Sequence, residues 1–288
     1  MSRFFELRRE LREEFTAAGI ESAGVDADIL ISELAGIGRG ELFLRSDEEV
    51  PSDVERQIRS LAARRAQREP LQYLLGYAYF MEIQLDVSPE VLIPRPETER
   101  LVEWVVEQLP RNGTLLDLGT GSGAIALAAA YERPDINVTA VDVSADALAI
   151  AMHNAGQLGL SQRVRFVESN LFDALEKERF DLIAANLPYV TDEEFATLEP
   201  EVRCHEPRLA LTAADAGFEL IRRAALAAPR FLKPGGSVIF ELAPAQAPRL
   251  AQLLADSGAY CRIAVLKDYT HRERFITAQR WEHGETVR

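Results

Sequence analysis

The sequence predicts an α/β protein in which helices cover both faces of a mostly parallel sheet, preceded by a small helical domain. Two observations carry this prediction. The chain has 288 residues, more than one core of typical size needs, so a large and a small domain are expected. From about residue 96 onward, short apolar strand patterns alternate with helical patterns, and this alternation is typical of a parallel sheet with crossover helices.

The first 75 residues are predicted to form the small helical domain. Apolar residues recur at helical spacing from residue 4 to about residue 68, and glycines divide this pattern into segments. The last of these helices is predicted to begin near Pro51 and to end before Pro70.

The rest of the chain is predicted to hold a linker and the main domain. Residues 76–95 form the linker, with a short β-hairpin that turns at Met81 and Glu82. The main domain, residues 96–288, has apolar strand patterns at residues 114–118, 137–143, 163–169, 180–187 and 237–242. Its helical patterns lie at residues 123–132, 145–159, 216–232 and 246–258. Two last strand patterns, which are expected to close the sheet as an antiparallel hairpin, lie at residues 260–268 and 272–280.

The composition argues against several classes of protein. Acidic residues number 46 against 32 lysines and arginines, a formal charge of −14 that repels phosphate backbones, so no direct nucleic-acid partner is expected. The sequence lacks an apolar run of about 18 residues and a secretory signal pattern, which predicts no membrane association. Cys204 and Cys261 stand far apart and the histidines lack metal-ligand spacing, so a cytoplasmic protein without a metal site is expected.

A glycine-rich loop marks the predicted cofactor site. The first strand of the main domain runs into GTGSG at residues 119–123, where glycines let the backbone turn sharply and approach a ligand closely. Asp142 ends the next strand about 20 residues later, the usual place for a carboxylate that binds a ribose. Its alternative role is that of an acid at a helix N-terminus, although Ser144 already serves as the cap.

Two cofactor classes fit this loop. With Ala124, the run also satisfies the pattern of a dinucleotide-binding unit, so that interpretation stays open. S-adenosylmethionine is favoured because Asp117 precedes the glycines, where it can meet the methionine amino group, and because the loop has no Lys or Arg for a pyrophosphate. Asn170, after the third strand, is placed to meet the adenine.

The predicted reacting site is Asn186-Leu187-Pro188-Tyr189 at the end of the fourth strand. Open sheets bind ligands beyond the carboxyl ends of their strands, so this loop faces the same crevice as the glycines. A planar NH₂ group is a poor nucleophile, and two acceptors that bind both its N–H bonds hold the nitrogen in position. The Asn186 side-chain oxygen and the Leu187 carbonyl form such a pair. Pro188 keeps Leu187 extended, and Tyr189 offers a flat face to a planar group.

With two further runs, these motifs resemble the PrmC (HemK) family. The runs are VLIPRPETE at residues 91–99 and EPR at residues 206–208, and the resemblance covers nearly the whole chain. It implies a Rossmann-like S-adenosylmethionine-dependent methyltransferase sheet, with residues 1–75 as the substrate-recognition domain. It also implies an enzyme that methylates the amide nitrogen of the glutamine in the Gly-Gly-Gln motif of class 1 peptide chain release factors. Separately, we expect a monomer.

The resemblance assigns roles to individual residues. Catalysis and substrate binding fall to Asn186, Leu187, Pro188 and Tyr189. Cofactor binding falls to Asp117, Leu118, Gly119, Thr120, Gly121, Asp142, Asn170, Leu171 and Asn186. The chain departs from the family pattern at Leu187, which replaces the first of two prolines and gives up its fixed φ, and at Leu171, where some members carry an aromatic residue.

Four alternatives share parts of this pattern. A nucleic-acid adenine methyltransferase uses the same Asn-x-Pro-Tyr logic but is disfavoured by the acidic charge. A ribosomal-protein glutamine methyltransferase differs mainly in its N-terminal domain. An oxidoreductase built on the glycine loop leaves residues 186–189 without a role, and a noncatalytic release-factor-binding module has lost its activity together with the first proline.

Overall fold

The computed structural model describes residues 2–282, which divide into two compact units. One unit comprises the chain up to Gly76 together with Glu199–His205, and the other comprises Tyr77–Leu198 and the chain from Glu206 onward. None of the helices in residues 2–282 is long and apolar enough to cross a membrane.

The helices and strands that the sequence predicts occur in the predicted order, together with further short helices. The helices are α1 (Phe4–Ala17), α2 (Ala23–Ala35), α3 (Arg39–Leu44), α4 (Ser52–Ala66), α5 (Leu71–Leu75), α6 (Pro96–Gln108), α7 (Ala124–Glu132), α8 (Ala145–Gln157), α9 (Asp192–Thr197), α10 (Pro200–His205), α11 (Ala214–Gly217), α12 (Glu219–Ala227) and α13 (Ala247–Asp256). The strands are β1 (Tyr77–Phe80), β2 (Ile83–Asp86), β3 (Thr114–Leu118), β4 (Asn137–Asp142), β5 (Val164–Glu168), β6 (Phe180–Asn186), β7 (Leu232–Glu241), β8 (Tyr260–Lys267) and β9 (Glu273–Arg280).

In the first unit, the apolar faces of α1, α2 and α4 meet in a core that includes Leu7, Leu30 and Ile58. Helix α10 joins this unit through ion pairs, although the sequence assigns its residues to the main domain. Glu201 accepts hydrogen bonds from Arg65 at 2.9 Å and from Arg68 at 2.7 Å. The Arg65 side chain is buried, and such a charge is stable only with acidic partners. No local pattern announces these pairs, because their members lie more than 130 residues apart in the chain.

The second unit contains a seven-stranded sheet in the order β5-β4-β3-β6-β7-β9-β8. The first five strands of this order are parallel, and β9 runs antiparallel to both β7 and β8. The predicted parallel sheet and its closing hairpin are therefore confirmed. The chain leaves β3 in one direction through β4 and in the other through β6, so the crevice for a ligand is expected beyond the carboxyl ends of β3 and β6.

Helices cover both faces of this sheet, as predicted. Alternate residues of a strand point to opposite faces, and Leu115 packs with α6 and α7 while Leu116 packs with α12 and α13. The small hairpin of β1 and β2 also turns where predicted, since Phe80 pairs with Ile83 across Met81 and Glu82.

Two predicted boundaries differ from the structure. Helix α12 begins at Glu219, not near residue 216, because Asp215 and Ala216 adopt left-handed backbone conformations with φ of 55° and 52°. Strand β7 begins at Leu232, five residues before the predicted start, and its irregular pairing with β6 between Leu232 and Ser237 accommodates one proline and two glycines. Helices α9 and α10 were not predicted.

Candidate active site

The glycine loop follows β3 and leaves an open space beside it. The N–H groups of Gly119 and Thr120 both donate to the Val141 carbonyl, at 2.8 and 2.9 Å, which pins the start of the loop to β4. Gly121 has a φ of 56°, and a Cβ placed on it would meet nothing within 4 Å. Gly121 therefore leaves space beside the backbone of the loop, as the predicted cofactor site requires.

Asp142 lies at the carboxyl end of β4 and faces this space. Its carboxylate accepts hydrogen bonds from the N–H of Gly121 at 2.9 Å and from the N–H of Ser144 at 3.0 Å. The cap of α8 is formed by Ser144, whose Oγ accepts a hydrogen bond from the Ala147 N–H at 3.1 Å. Asp142 is thus available for a second role at the cavity that it lines.

A cavity of about 440 Å³ opens beyond the ends of β3 and β6. Its volume lies in the range of small-molecule sites, roughly 300–1,000 Å³. The predicted residues that line it are Gly119, Gly121, Asp142, Asn170, Leu171, Asn186, Leu187 and Pro188. The structure therefore brings the predicted cofactor loop and most of the predicted substrate loop to one place.

Four predicted site residues do not line the cavity: Asp117, Leu118, Thr120 and Tyr189. Asp117 is completely buried beneath the loop, where its Oδ2 accepts hydrogen bonds from Thr120 Oγ1 at 2.6 Å and from the Ala126 N–H at 3.2 Å. Burial raises the pKa of this carboxyl to about 7. Its Oδ1 has no hydrogen-bond partner within residues 2–282. Asp117 thus supports the loop, and contact with a cofactor stays a prediction.

A chain of hydrogen bonds holds the side chain of Asn186. Its Nδ2 donates to Thr98 Oγ1 at 3.1 Å, and the Thr98 hydroxyl donates to Glu241 Oε2 at 2.8 Å. The other carboxylate oxygen of Glu241 accepts from the Tyr189 hydroxyl at 3.4 Å. Glu241 pairs with Asn186 in the sheet and is almost fully buried, which raises its pKa to about 7.

Leu187 connects the two predicted loops. Its side chain is buried, and its Cδ2 would stand 3.0 Å from a Cβ placed on Gly119. The residue that replaces the family's first proline therefore packs on the glycine loop, and the predicted cofactor and substrate sites are adjacent. Beyond the loop, the Gln246 side chain donates to the carbonyls of Tyr189 and Ala216, each at 3.2 Å, and holds the following backbone.

Two walls of the cavity were not assigned from the sequence. They are formed by residues near the two family-specific runs and on α12, namely Glu90, Leu92, Pro207, Leu209, Leu220 and Arg223. Glu206 joins the two runs, because its carboxylate binds Arg95 at 2.7 Å and the Ile93 N–H at 3.3 Å. The sequence runs at residues 91–99 and 206–208 could have pointed to these walls, but a sequence does not show which residues of the two runs contact each other. Phe172, next to Leu171, is buried and stacks on Phe231.

Comparisons with known proteins cover both units. A family model described as PrmC N-terminal domain matches residues 6–76, and one described as Methyltransferase small domain matches residues 95–200. A release factor glutamine methyltransferase of Rhodopirellula baltica is 40% identical over 274 residues, which cover 92% of each chain. The protein of the same name from Chlorobaculum tepidum is 39% identical and is matched over 91% of this chain and 92% of its own.

A solved methyltransferase from Pyrococcus furiosus has a TM-score of 0.53 at 18% identity, over 80% of this chain and 100% of the other. This likeness shows the fold alone, which is the Rossmann-like methyltransferase fold expected from the strand order. The family follows from the sequence relatives, because identity near 40% extends over more than nine-tenths of both chains. The chain belongs to the release factor glutamine methyltransferase family.

Proposed function

We propose that this chain transfers a methyl group from S-adenosylmethionine to the side-chain amide nitrogen of the glutamine in the Gly-Gly-Gln motif of class 1 peptide chain release factors. The observation that carries the proposal is the placement of Asn186 beside the glycine loop, with its Nδ2 bound to Thr98. Asn186 lines the cavity, and within residues 2–282 its Oδ1 is left as an acceptor for an incoming N–H, because the side chain is held through Nδ2.

The cavity suits S-adenosylmethionine. Gly121 leaves room for a ligand against the backbone, and the Asp142 carboxylate can accept hydrogen bonds from ribose hydroxyls. Leu171 and Leu220 offer apolar surface to the adenine, and Asn170 offers a polar edge. When bound, this cofactor supplies an electrophilic methyl group on a sulfonium sulfur.

The chain's own residues hold the nucleophile. An amide nitrogen attacks poorly because its lone pair is delocalised. Asn186 Oδ1 and the Leu187 carbonyl each accept one of its N–H bonds, which fixes the nitrogen beside the cofactor cavity and favours a pyramidal geometry. Tyr189 follows these acceptors with its hydroxyl anchored on Glu241, so its ring has a fixed position for packing on the planar amide. No side chain has to remove a proton before transfer, and the displaced proton leaves the nitrogen for water.

The helical first unit is proposed to recognise the body of the release factor. The end of α3 exposes Phe43 by 54% and Leu44 by 87%, and the Arg8 guanidinium lies 4.5 Å from the centre of the Phe43 ring. Large apolar side chains at a surface, bordered by charge, are typical of protein contact sites. We place the reaction in the cytoplasm, where the protein acts as a monomer.

The test is transfer of labelled methyl from S-adenosylmethionine to a purified class 1 release factor. The matched control is the same factor with the glutamine of its Gly-Gly-Gln motif replaced, and duplex DNA and ribosomal protein are assayed in parallel. Label on the intact factor alone supports the proposal. Label on DNA or ribosomal protein instead would contradict the proposed substrate but would still support S-adenosylmethionine as the cofactor.

A further inference from the structure

We propose that Thr98 and Glu241 are positioning residues that set which face of the Asn186 amide meets the substrate, and that the ionisation of Glu241 switches this orientation. The inference rests on the proposed function, since it concerns how Asn186 receives the glutamine amide. Neither residue lines the cavity, so both act through Asn186.

The direction of each hydrogen bond follows from the chemistry of the groups. An ionised carboxylate only accepts, so Glu241 requires the Thr98 hydroxyl to point its proton toward Oε2 at 2.8 Å. Thr98 Oγ1 then has only lone pairs left for Asn186, 3.1 Å away, and must accept. The amide therefore turns its NH₂ toward Thr98 and its oxygen away from it. Glu241 accepts from Thr98, and Thr98 accepts from Asn186. These two successive acceptors thus specify the face of Asn186 that the substrate meets.

Reversal of these hydrogen bonds would turn the Asn186 oxygen away from the substrate. A protonated Glu241 carries its own O–H and can donate to Thr98 Oγ1, which frees the Thr98 hydroxyl proton to point at Asn186. The Asn186 oxygen would then turn toward Thr98, and its NH₂ would face the substrate's NH₂, where it cannot accept an N–H bond. Nucleophile positioning is therefore expected only with the ionised carboxylate.

The surroundings of Glu241 place this switch near neutral pH. Burial is the main influence and raises its pKa to about 7, so both forms are accessible near that pH. Arg274 on β9 favours the ionised form, and Glu97 on α6 opposes it. The Tyr189 hydroxyl donates to Glu241 and also favours the ionised form. The proposal predicts that kcat rises as the pH increases through about 7.

Kinetics of three variants provide the first part of the test. Thr98→Val removes the acceptor and is expected to lower kcat about tenfold, the value of one well-placed hydrogen bond, while affinity for S-adenosylmethionine stays unchanged. Thr98→Ser keeps the hydroxyl and is expected to restore most of the rate. Thr277→Val, at an equally buried threonine of β9 outside this chain of bonds, controls for loss of a buried hydroxyl.

The pH profile separates orientation from mere stability. Wild type is expected to show the rise in kcat near pH 7, and both Thr98→Val and Glu241→Gln are expected to lose it. A Thr98→Val enzyme with the wild-type rate and the wild-type profile would overturn the proposal, as would equal impairment by Thr98→Ser.

A direct readout of Asn186 does not depend on the identity of the substrate. The side-chain amide of Asn186 gives a ¹H–¹⁵N nuclear magnetic resonance signal, assigned by its loss in Asn186→Ala. It is expected to titrate near pH 7 in wild type and to stay constant over this range in Glu241→Gln and Thr98→Val. A signal that ignores pH in wild type would refute the switch even if methyl transfer is observed. A titrating signal without transfer to the release factor would keep the switch and point to failure of the proposed substrate.

Discussion

Gly217 lies against the backbone of Tyr189, and a Cβ added to Gly217 would stand 2.0 Å from the Tyr189 carbonyl oxygen. That carbonyl also accepts a hydrogen bond from Gln246, so it cannot move aside without breaking this bond. Gly217 has a φ of 73°, a conformation that disfavours other residues. The turn at α11 therefore fixes the backbone at the end of the proposed substrate loop.

Substitution of Gly217 should damage catalysis as well as stability. Gly217→Ala has to push the Tyr189 carbonyl away, so we expect a loss of methyl transfer well beyond what any loss of folded protein explains. The matched control is Gly258→Ala. Gly258 has a similar φ of 63°, but a Cβ added to it would meet nothing within 4 Å. It should cost only the backbone strain, roughly 1–2 kcal/mol, with normal transfer. Urea unfolding and transfer rates measured on both variants make the comparison, and equal effects would contradict the steric argument.

Asp142 and Asn186 should affect different steps. Asp142→Ala removes the carboxylate at the cavity and should weaken binding of S-adenosylmethionine about tenfold or more. Asn186→Ala should leave that binding nearly intact and lower single-turnover transfer on the order of 100-fold, as loss of a preorganised group at a reacting centre does. Calorimetric titration with the cofactor and rapid-quench kinetics measure the two quantities. Equal losses of cofactor affinity in the two variants would show that the assigned roles are wrong.

The ion pair between Glu206 and Arg95 should matter more than a neighbouring pair at the surface. The Glu206 carboxylate is buried and also accepts from the Ile93 N–H, so Glu206→Gln should destabilise the protein by about 1–3 kcal/mol and disturb the wall of the cavity. Asp192 and Arg208 are both largely exposed, and Asp192→Asn should change stability by less than about 1 kcal/mol. Thermal unfolding with and without S-adenosylmethionine tests both. A stabilisation by cofactor that is equal in wild type and Glu206→Gln would contradict the link to the cavity.

The sequence predicts the sheet well because each strand is marked by a local run of apolar residues. Two examples are apolar segments with clear ends, at residues 114–118 before the glycines and at residues 180–187 before Pro188. The parallel orientation of the strands follows from the helices between them. The left-handed turn before α12 is different. Ala216 and Phe218 fit a helical pattern, and the contact that requires glycine between them is with the carbonyl of Tyr189, which is distant in the chain.

The candidate site divides in the same way. Asn186 is visible in the sequence because it belongs to a compact motif at a strand end. Thr98 and Glu241 cannot be recognised in this way, because the hydrogen bonds that connect them to the site join residues 88 and 143 positions apart in the chain. Glu241 is the last residue of an apolar strand and Thr98 lies in the first turn of a helix, which are ordinary places for both residue types.

Asp117 should make the stability of the protein depend on pH. Its pKa is raised from an ordinary value of 3.8 to about 7, mainly by burial, while hydrogen bonds from Thr120 and Ala126 oppose the rise. Between about pH 4 and 7 the folded state therefore holds a proton that the unfolded state has lost. This contribution to the free energy of unfolding is largest below pH 4, falls through that window, and is constant above it.

Replacement of the titrating group isolates the effect. Asn in place of Asp117 can still accept from Thr120 and Ala126 but carries no charge, so the stability of wild type relative to Asp117→Asn should decrease by a few kcal/mol between about pH 4 and 8. The control is Asp135→Asn, because Arg133 holds the pKa of Asp135 well below its usual range and its relative stability should stay level above about pH 5. Urea unfolding across this range measures both differences. A wild-type advantage over Asp117→Asn that does not change with pH would mean that Asp117 is not protonated in the folded protein, and its unpartnered Oδ1 would then need a cationic neighbour in solution.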